Sequence, residues 1–305
     1  MDISTGFDPG IKGFISVPPS NTLKFPPERS FSQIKWEYKF HPFDSNFFGP
    51  LLNGRFYQSQ SSRPDLGLAR YQYLLSRAVL APEFTILSYF NIYAGLGYER
   101  AFFYDNDIDE TEQRHYDIED RSVNQYPFIE TRIKIDPIPI RIGNRLDKYL
   151  VFTLTENLED NGSREMVLSC AYDFEFSNLS IYSFKFKSDL NFYETPFYHN
   201  ANVSSQFFKG FTGNGYYTNR EISVSNEYRI PVYQDYIYAG LFIDMVAFEP
   251  EGYRMSGKKF GIAAGPTGRF LIYDQFELIL YYSIDRLFPD DKYGTNIQVK
   301  FRKKW

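Results

Sequence analysis

Apolar and polar residues take turns along this chain, one for one, over segment after segment. Between 31 and 41, Ile34, Trp36, Tyr38 and Phe40 form one row, with Gln33, Lys35, Glu37 and Lys39 between them. Ile86, Phe90, Ile92, Ala94, Leu96 and Tyr98 continue the pattern through 84–104. It recurs from Met166 to Phe176, Tyr182 to Phe186, Ile222 to Ile230, Ile237 to Met245 and Phe276 to Ile284, on alternate positions each time. A period of two belongs to a strand with one apolar and one polar face, whereas a helix repeats near 3.6. The chain is therefore expected to be all-β.

Composition decides which face meets water. The aromatic content is 19%, with 26 Tyr and 31 Phe, yet the mean hydropathy is only -0.41. A transmembrane β-barrel reconciles the two, because only alternate residues face lipid and aromatic girdles mark both interfaces. No run approaches the 18 or so apolar residues of a helical span. The net charge of -5 and the lack of a long basic run argue against a nucleic-acid partner. Cys170, the single cysteine, allows no intrachain disulfide and suits a position facing lipid or core.

Connection lengths support the same reading. Ser177-Asn178, 231–235 and Pro266-Thr267-Gly268-Arg269 read as tight turns, while 105–124, 157–164, 194–216, 249–257 and 286–293 read as longer loops. Tight turns on one side and long loops on the other are expected of an outer-membrane barrel; only 137–147 is longer than a periplasmic turn should be. The segments 31–41, 67–80, 84–104, 125–136, 148–156, 165–176, 179–192, 217–230, 236–248, 258–266, 270–285 and 294–304 give about twelve strands, with both ends on the periplasmic side. Fourteen is the alternative, with 51–60 as a further strand or 84–104 as a hairpin. The domain division is then 1–30, a periplasmic tail or short plug with Pro18-Pro19 and Pro26-Pro27, and 31–305, the barrel.

One constellation stands out against this pattern. Phe208-Lys209-Gly210-Phe211 lies in the longest connection, and the next two strands carry Glu227 and Asp244. In 217–230 the even row is apolar, so Ser223, Ser225, Glu227 and Arg229 face inward; in 236–248 the odd row is apolar, so Phe242 and Asp244 face inward. Both acids are thus expected in the lumen, where Lys209 would pin the loop to the wall and Gly210 would let its backbone approach closely. Three ordinary lumen-facing charges in a wet interior are the plainer alternative. The chain ends on a strand with Ile297, Val299, Phe301 and Trp305 on one face and Gln298, Lys300, Arg302 and Lys304 on the other.

These residues resemble the BamA/TamA superfamily of outer-membrane assembly and secretion barrels, the surface-antigen type. The likeness runs over about 165–305 through Pro196-Phe197-Tyr198, Phe208-Lys209-Gly210-Phe211, Asn226-Glu227-Tyr228-Arg229-Ile230-Pro231, Leu241-Phe242-Ile243-Asp244-Met245, Gly261-Ile262-Ala263-Ala264-Gly265-Pro266 and the terminal strand. The chain departs from the family in having Lys209 for its arginine and Val246 for its glycine. About 30 residues precede the first expected strand, which leaves no room for the family's periplasmic POTRA domains.

The resemblance implies a minimal member of the superfamily, with the long loop folded into the lumen. Its implied site is the loop-anchoring cluster Lys209, Gly210, Phe211, Glu227 and Asp244, with Phe301 and Trp305 as the C-terminal insertion signal. It implies insertion or translocation of proteins or lipids at the bacterial outer membrane, through a weakly paired seam between 31–41 and 294–304. An organelle outer envelope is the alternative location. Partners would be the bilayer, lipopolysaccharide, unfolded outer-membrane clients or a periplasmic subunit. A passive channel that kept the scaffold alone is the competing function.

Enzymatic chemistry is not expected. His41, His115 and His199 form no close pair, and no cysteine cluster accompanies them, so neither a metal nor another cofactor is anticipated. His199 with Ser204 and Ser205 is the nearest approach to a nucleophile and base. Asp105, Asp107 and Asp109 imitate the start of a calcium loop, but Glu110 and Tyr116 stand where the glycine and closing acid belong.

Overall fold

A computed structural model describes residues 31–39, 48–63, 68–86, 89–108, 123–135, 148–159, 162–192, 201–203, 208–210, 217–234, 236–250, 257–272, 276–289 and 292–303. For 31–39, 48–63, 68–73, 104–108, 201–202, 217, 272, 292 and 300–303 the backbone course alone is described. The fold is all-β and antiparallel, as the alternation requires. The strands are β1 (Phe31–Lys39), β2 (Phe48–Arg63), β3 (Leu68–Ile86), β4 (Phe90–Ile108), β5 (Val123–Ile135), β6 (Lys148–Asn157) and β7 (Arg164–Glu175). There follow β8 (Ile181–Phe192), β9 (Ala201–Asn202), β10 (Tyr217–Tyr233), β11 (Ile237–Pro250), β12 (Lys259–Ile272), β13 (Phe276–Phe288) and β14 (Lys292–Lys303).

All fourteen belong to one sheet, and every long strand pairs with its neighbours in sequence; the two-residue β9 sits off the path against β10. The added long strand is Phe48–Arg63, which covers the 51–60 alternative. Its second half, Gln58 to Ser62, is polar throughout, so it lacks the alternation that marks the other strands. Thirteen strands in sequence correct the expectation that both ends lie on one side: β1 and β14 run in the same direction, and residues 31 and 303 lie at opposite rims. Among the described pairings none joins β1 to β14.

The β3–β4, β7–β8, β10–β11 and β12–β13 junctions are short and share one rim, where the β5–β6 junction is longer; the β4–β5, β8–β10 and β11–β12 junctions on the other rim are long, and the β13–β14 junction there is short. Two expected boundaries move. Pro266-Thr267-Gly268-Arg269 is not a turn; Leu241 pairs with Pro266 and Ala239 with Gly268 inside a continuous β11–β12 ladder. Turn-forming residues yield here to register: a Cβ on Gly265 would lie 1.8 Å from the Tyr282 carbonyl oxygen, so its absence admits the β13 backbone. Likewise β3 continues through Pro82 to Ile86, and the expected long loop 286–293 shrinks to 289–291 between β13 and β14.

Burial follows parity. Along β10, Glu221, Ser223, Ser225, Glu227 and Arg229 are buried, and along β11 Tyr238, Phe242, Asp244, Val246 and Phe248 are buried. The opposite row carries the exposed apolar residues, including Leu241 at 68% and Ile243 at 46%. The same holds in the N-terminal half, where Leu80 is 61% and Leu96 64% exposed while Val79 and Glu99 are enclosed. The sheet is inside out relative to a water-soluble domain: many of its charges, such as Glu99, Glu221 and Asp244, are covered, while Leu80, Leu96 and Leu241 are not. Asn226 interrupts the apolar row of β10, and the Tyr182 hydroxyl donates to its Oδ1 at 2.6 Å.

Candidate functional site

Lys209 lies in the connection between β8 and β10, yet it is 2% exposed. Sequence explains how the strand residues reach it. Ser225 and Asp244 are cross-strand partners in the β10–β11 ladder, and both occupy inward rows, so their side chains stand together on the enclosed face. The Lys209 ammonium lies 3.0 Å from Asp244 Oδ1 and 3.2 Å from Oδ2, and it donates to Ser225 Oγ at 2.9 Å. The Lys209 backbone N–H donates to Asp244 Oδ2 at 2.8 Å. One carboxylate thus holds both the side chain and the main chain of the loop residue.

Glu227 is a more distant partner, 3.9 Å from the ammonium. Its other oxygen lies 3.6 Å from Arg229 Nε. The guanidinium of Arg229 also lies 3.7 Å from Asp173 on β7 and donates to Ser183 on β8 at 2.6 Å. Arg229 therefore compensates Glu227 and links two more groups of the wall, Asp173 and Ser183. The two acids are not equivalent: Asp244 grips the loop, and Glu227 bridges the loop cation to Arg229.

Two rings complete the surroundings of the ammonium, Phe242 with its centroid 4.4 Å away and Tyr281 at 5.1 Å. These rings meet edge to face at 5.6 Å. A cation desolvated over aromatic faces gains from their quadrupoles, which offsets part of its lost hydration. The Lys209 carbonyl accepts from Asn296 Nδ2 and Gln298 Nε2, each at 2.9 Å, and from Ser283 Oγ at 3.3 Å. A single loop residue is thus bound by β10, β11, β13 and β14. That convergence requires the sheet to curl around it.

The flanking residues seal the attachment. Phe208 is fully buried in a cluster with Val203, Phe242, Val246, Phe248, Ala263 and Ile279 among others. Gly210 has no space for a side chain: a Cβ would fall 2.8 Å from the Phe208 ring and 3.0 Å from Ala263 Cβ. Phe211 and Trp305 lie outside the described residues, and Phe301 is placed by its backbone alone, opposite Leu278. Earlier on the same strand Ile297 and Val299 face outward, 43% and 42% exposed.

Sequence reasoning placed Ser225 and Phe242 on the inner face but gave them no role, and it did not bring Tyr281, Ser283 or Asn296 to the site. Parity alone could have put each of these inside; their convergence on Lys209 depends on register between strands. The polar residues at 296 and 298 on a terminal strand were the available signal.

Among the described residues no group of three or more His, Cys, Asp or Glu is arranged to hold a metal ion. His41, His115, His199, Ser204, Ser205 and Asp109 lie outside the described residues, and Asp105 and Asp107 belong to the end of β4. Phe192 at the end of β8 and Arg220 near the start of β10 place ring and guanidinium 5.7 Å apart.

No protein-family model matches the chain, and no curated protein matches it in sequence. Among solved structures, it is similar to BamA from Haemophilus ducreyi lacking POTRA domains 1-3, at 13% identity and a TM-score of 0.65, over 90% of this chain and 62% of that one. It is also similar to CdiB from Acinetobacter baumannii, at 11% identity and a TM-score of 0.57, over 88% of this chain and 50% of that one. At these identities the likeness concerns the fold, and the chain spans between half and two thirds of the length of either protein.

Proposed function

We propose that this chain is an integral barrel of the bacterial outer membrane, of the BamA/TamA type, that assists insertion or translocation of polypeptides or lipids without enzymatic chemistry. The observation that carries the reading is Lys209: a loop residue held inside the sheet by four strands, in a wall whose outer face is apolar. Strand lengths suit the location. β11 has 14 residues and β3 and β4 have 19 each, against the roughly 9–11 that a tilted strand needs to cross a bilayer. Lipid and lipopolysaccharide would contact the outer row, and an unfolded client or a separate periplasmic subunit would be the macromolecular partner.

The working element would be the seam between β1 and β14. These strands run in the same direction, so any ladder that closes the barrel between them is parallel, and parallel pairing is slightly weaker per residue. A seam of that kind can thin the bilayer or part for a client, while the folded-in loop props the lumen. The cluster Lys209, Gly210, Phe211, Glu227 and Asp244 would then serve as the loop anchor, and Phe301 with Trp305 as the element that directs insertion of the chain itself.

Proteoliposomes containing the chain are expected to accelerate folding of an unrelated barrel protein, and a cysteine crosslink between β1 and β14, in a Cys170→Ser background, is expected to abolish that acceleration. Full activity in the crosslinked protein rules out the seam. A stable open pore in planar bilayers, with no acceleration of folding, assigns the chain to passive conduction instead.

A further inference from the structure

A second cation centre, largely enclosed, organises the N-terminal part of the wall. Arg77 on β3 points inward, with Nη1 3.2 Å from Glu99 Oε2 on β4 and Nη2 2.6 Å from Glu130 Oε2 on β5. Its Nη2 also donates to Thr155 Oγ1 on β6 at 3.3 Å. The remaining carboxylate oxygens are occupied as well: the Tyr126 hydroxyl donates to Glu99 Oε1 at 2.7 Å, and the Tyr93 hydroxyl donates to Glu130 Oε1. The guanidinium carbon lies 4.1 Å from the centroid of Phe128. That ring occupies the place of a side chain on Gly97, where a Cβ would fall 2.2 Å from it. Glycine, ring and guanidinium therefore form a stack against the wall. Glu165 on β7 adds a longer-range attraction.

The two centres differ in what carries them. Every hydrogen-bonded member of the Arg77 network sits on a strand from β3 to β6, so its contacts break only if those strands separate. Lys209 is carried by a connection, and it can withdraw from Asp244, Ser225, Asn296 and Gln298 without any ladder opening. We propose that the wall has two separate interior locks: a fixed one at Arg77 holding β3–β6 in register, and a releasable one at Lys209 governing β10–β14. Withdrawal of residues 208–210 then softens one sector while the other stands as a rigid frame. This builds on the loop-anchored barrel proposed above but does not depend on what the barrel transports.

Hydrogen–deuterium exchange on the full chain in lipid nanodiscs tests the division, comparing Lys209→Gln and Arg77→Gln with the parent. The expected result is at least tenfold faster exchange in 217–250 and 276–303 for Lys209→Gln, with 74–103 and 123–135 unchanged. Arg77→Gln is expected to do the reverse. Where Arg77→Gln does not fold, Glu99→Gln replaces it, keeping the shape while removing one charge. Loosening of both sectors alike by Lys209→Gln overturns the proposal, as does unchanged exchange in β3–β6 for the Arg77 or Glu99 variant. A chain that shows split exchange but fails to accelerate client folding keeps the two locks and loses the proposed function.

Discussion

Lys209 reaches Asp244 twice, through its ammonium at 3.0 Å and its backbone N–H at 2.8 Å. The consequence is that position 244 holds the main chain of the loop as well as its charged side chain. A carboxylate that takes both contacts is also the group whose loss strands the cation most completely.

Asp244→Asn is expected to destabilise the folded chain by about 3–5 kcal/mol, because it leaves a buried ammonium without its counter-charge. Pairing it with Lys209→Met should recover part of that loss, since the stranded charge is then gone. Urea unfolding in detergent micelles, read by the gel mobility shift of folded barrels, measures both. Equal stability of the two variants would contradict the assignment.

Gly210→Ala tests the closeness of the loop to the wall. The added Cβ has neither the Phe208 ring nor Ala263 Cβ at a tolerable distance, and overpacking of this kind costs roughly 1–3 kcal/mol. Limited proteolysis should cut near 208–210 in the variant and spare the parent.

Lys209→Arg should retain protection of the loop, whereas Lys209→Met should lose it. A guanidinium presents paired donors that can take Asp244 and reach Glu227 together, where the ammonium stands 3.9 Å from the glutamate. Protease protection lost equally in both variants would show that the charge is not what holds the loop.

How much of this was readable in the sequence depends on the range over which each interaction acts. The inward placement of Glu227 and Asp244 needed only parity within one strand, since each lies among alternate apolar neighbours. The strand Phe48–Arg63 was harder to identify because its Gln58–Ser62 stretch gives no apolar row; pairing with β1 and β3 makes it a strand. Pro266-Thr267-Gly268 carries a strong local turn signal that the long β11–β12 ladder overrides. The Arg77 network left no motif at all. Its carboxylates lie 22 and 53 residues from the arginine, so only the register of β3 to β6 brings them together.

The outer row supplies another test. Ile243→Arg, on the exposed face of β11, should cost about 2–4 kcal/mol if it lies near the bilayer midplane, where a lipid-facing cation is most costly. The neighbouring inward substitution Phe242→Leu should leave insertion into vesicles intact while weakening the loop lock. Efficient insertion of Ile243→Arg, measured by heat-modifiable migration after mixing with lipid vesicles, would contradict a hydrocarbon environment for that face.

The most direct measurement is a nitroxide scan of β10 from 222 to 229 in bilayers, in a Cys170→Ser background, reading accessibility to oxygen and to a water-soluble nickel chelate. The account requires a period of two: labels at 222, 224, 226 and 228 meet oxygen dissolved in the hydrocarbon, and those at 223, 225, 227 and 229 do not. Labels at even positions that meet the nickel chelate instead, or accessibility without alternation, would contradict it.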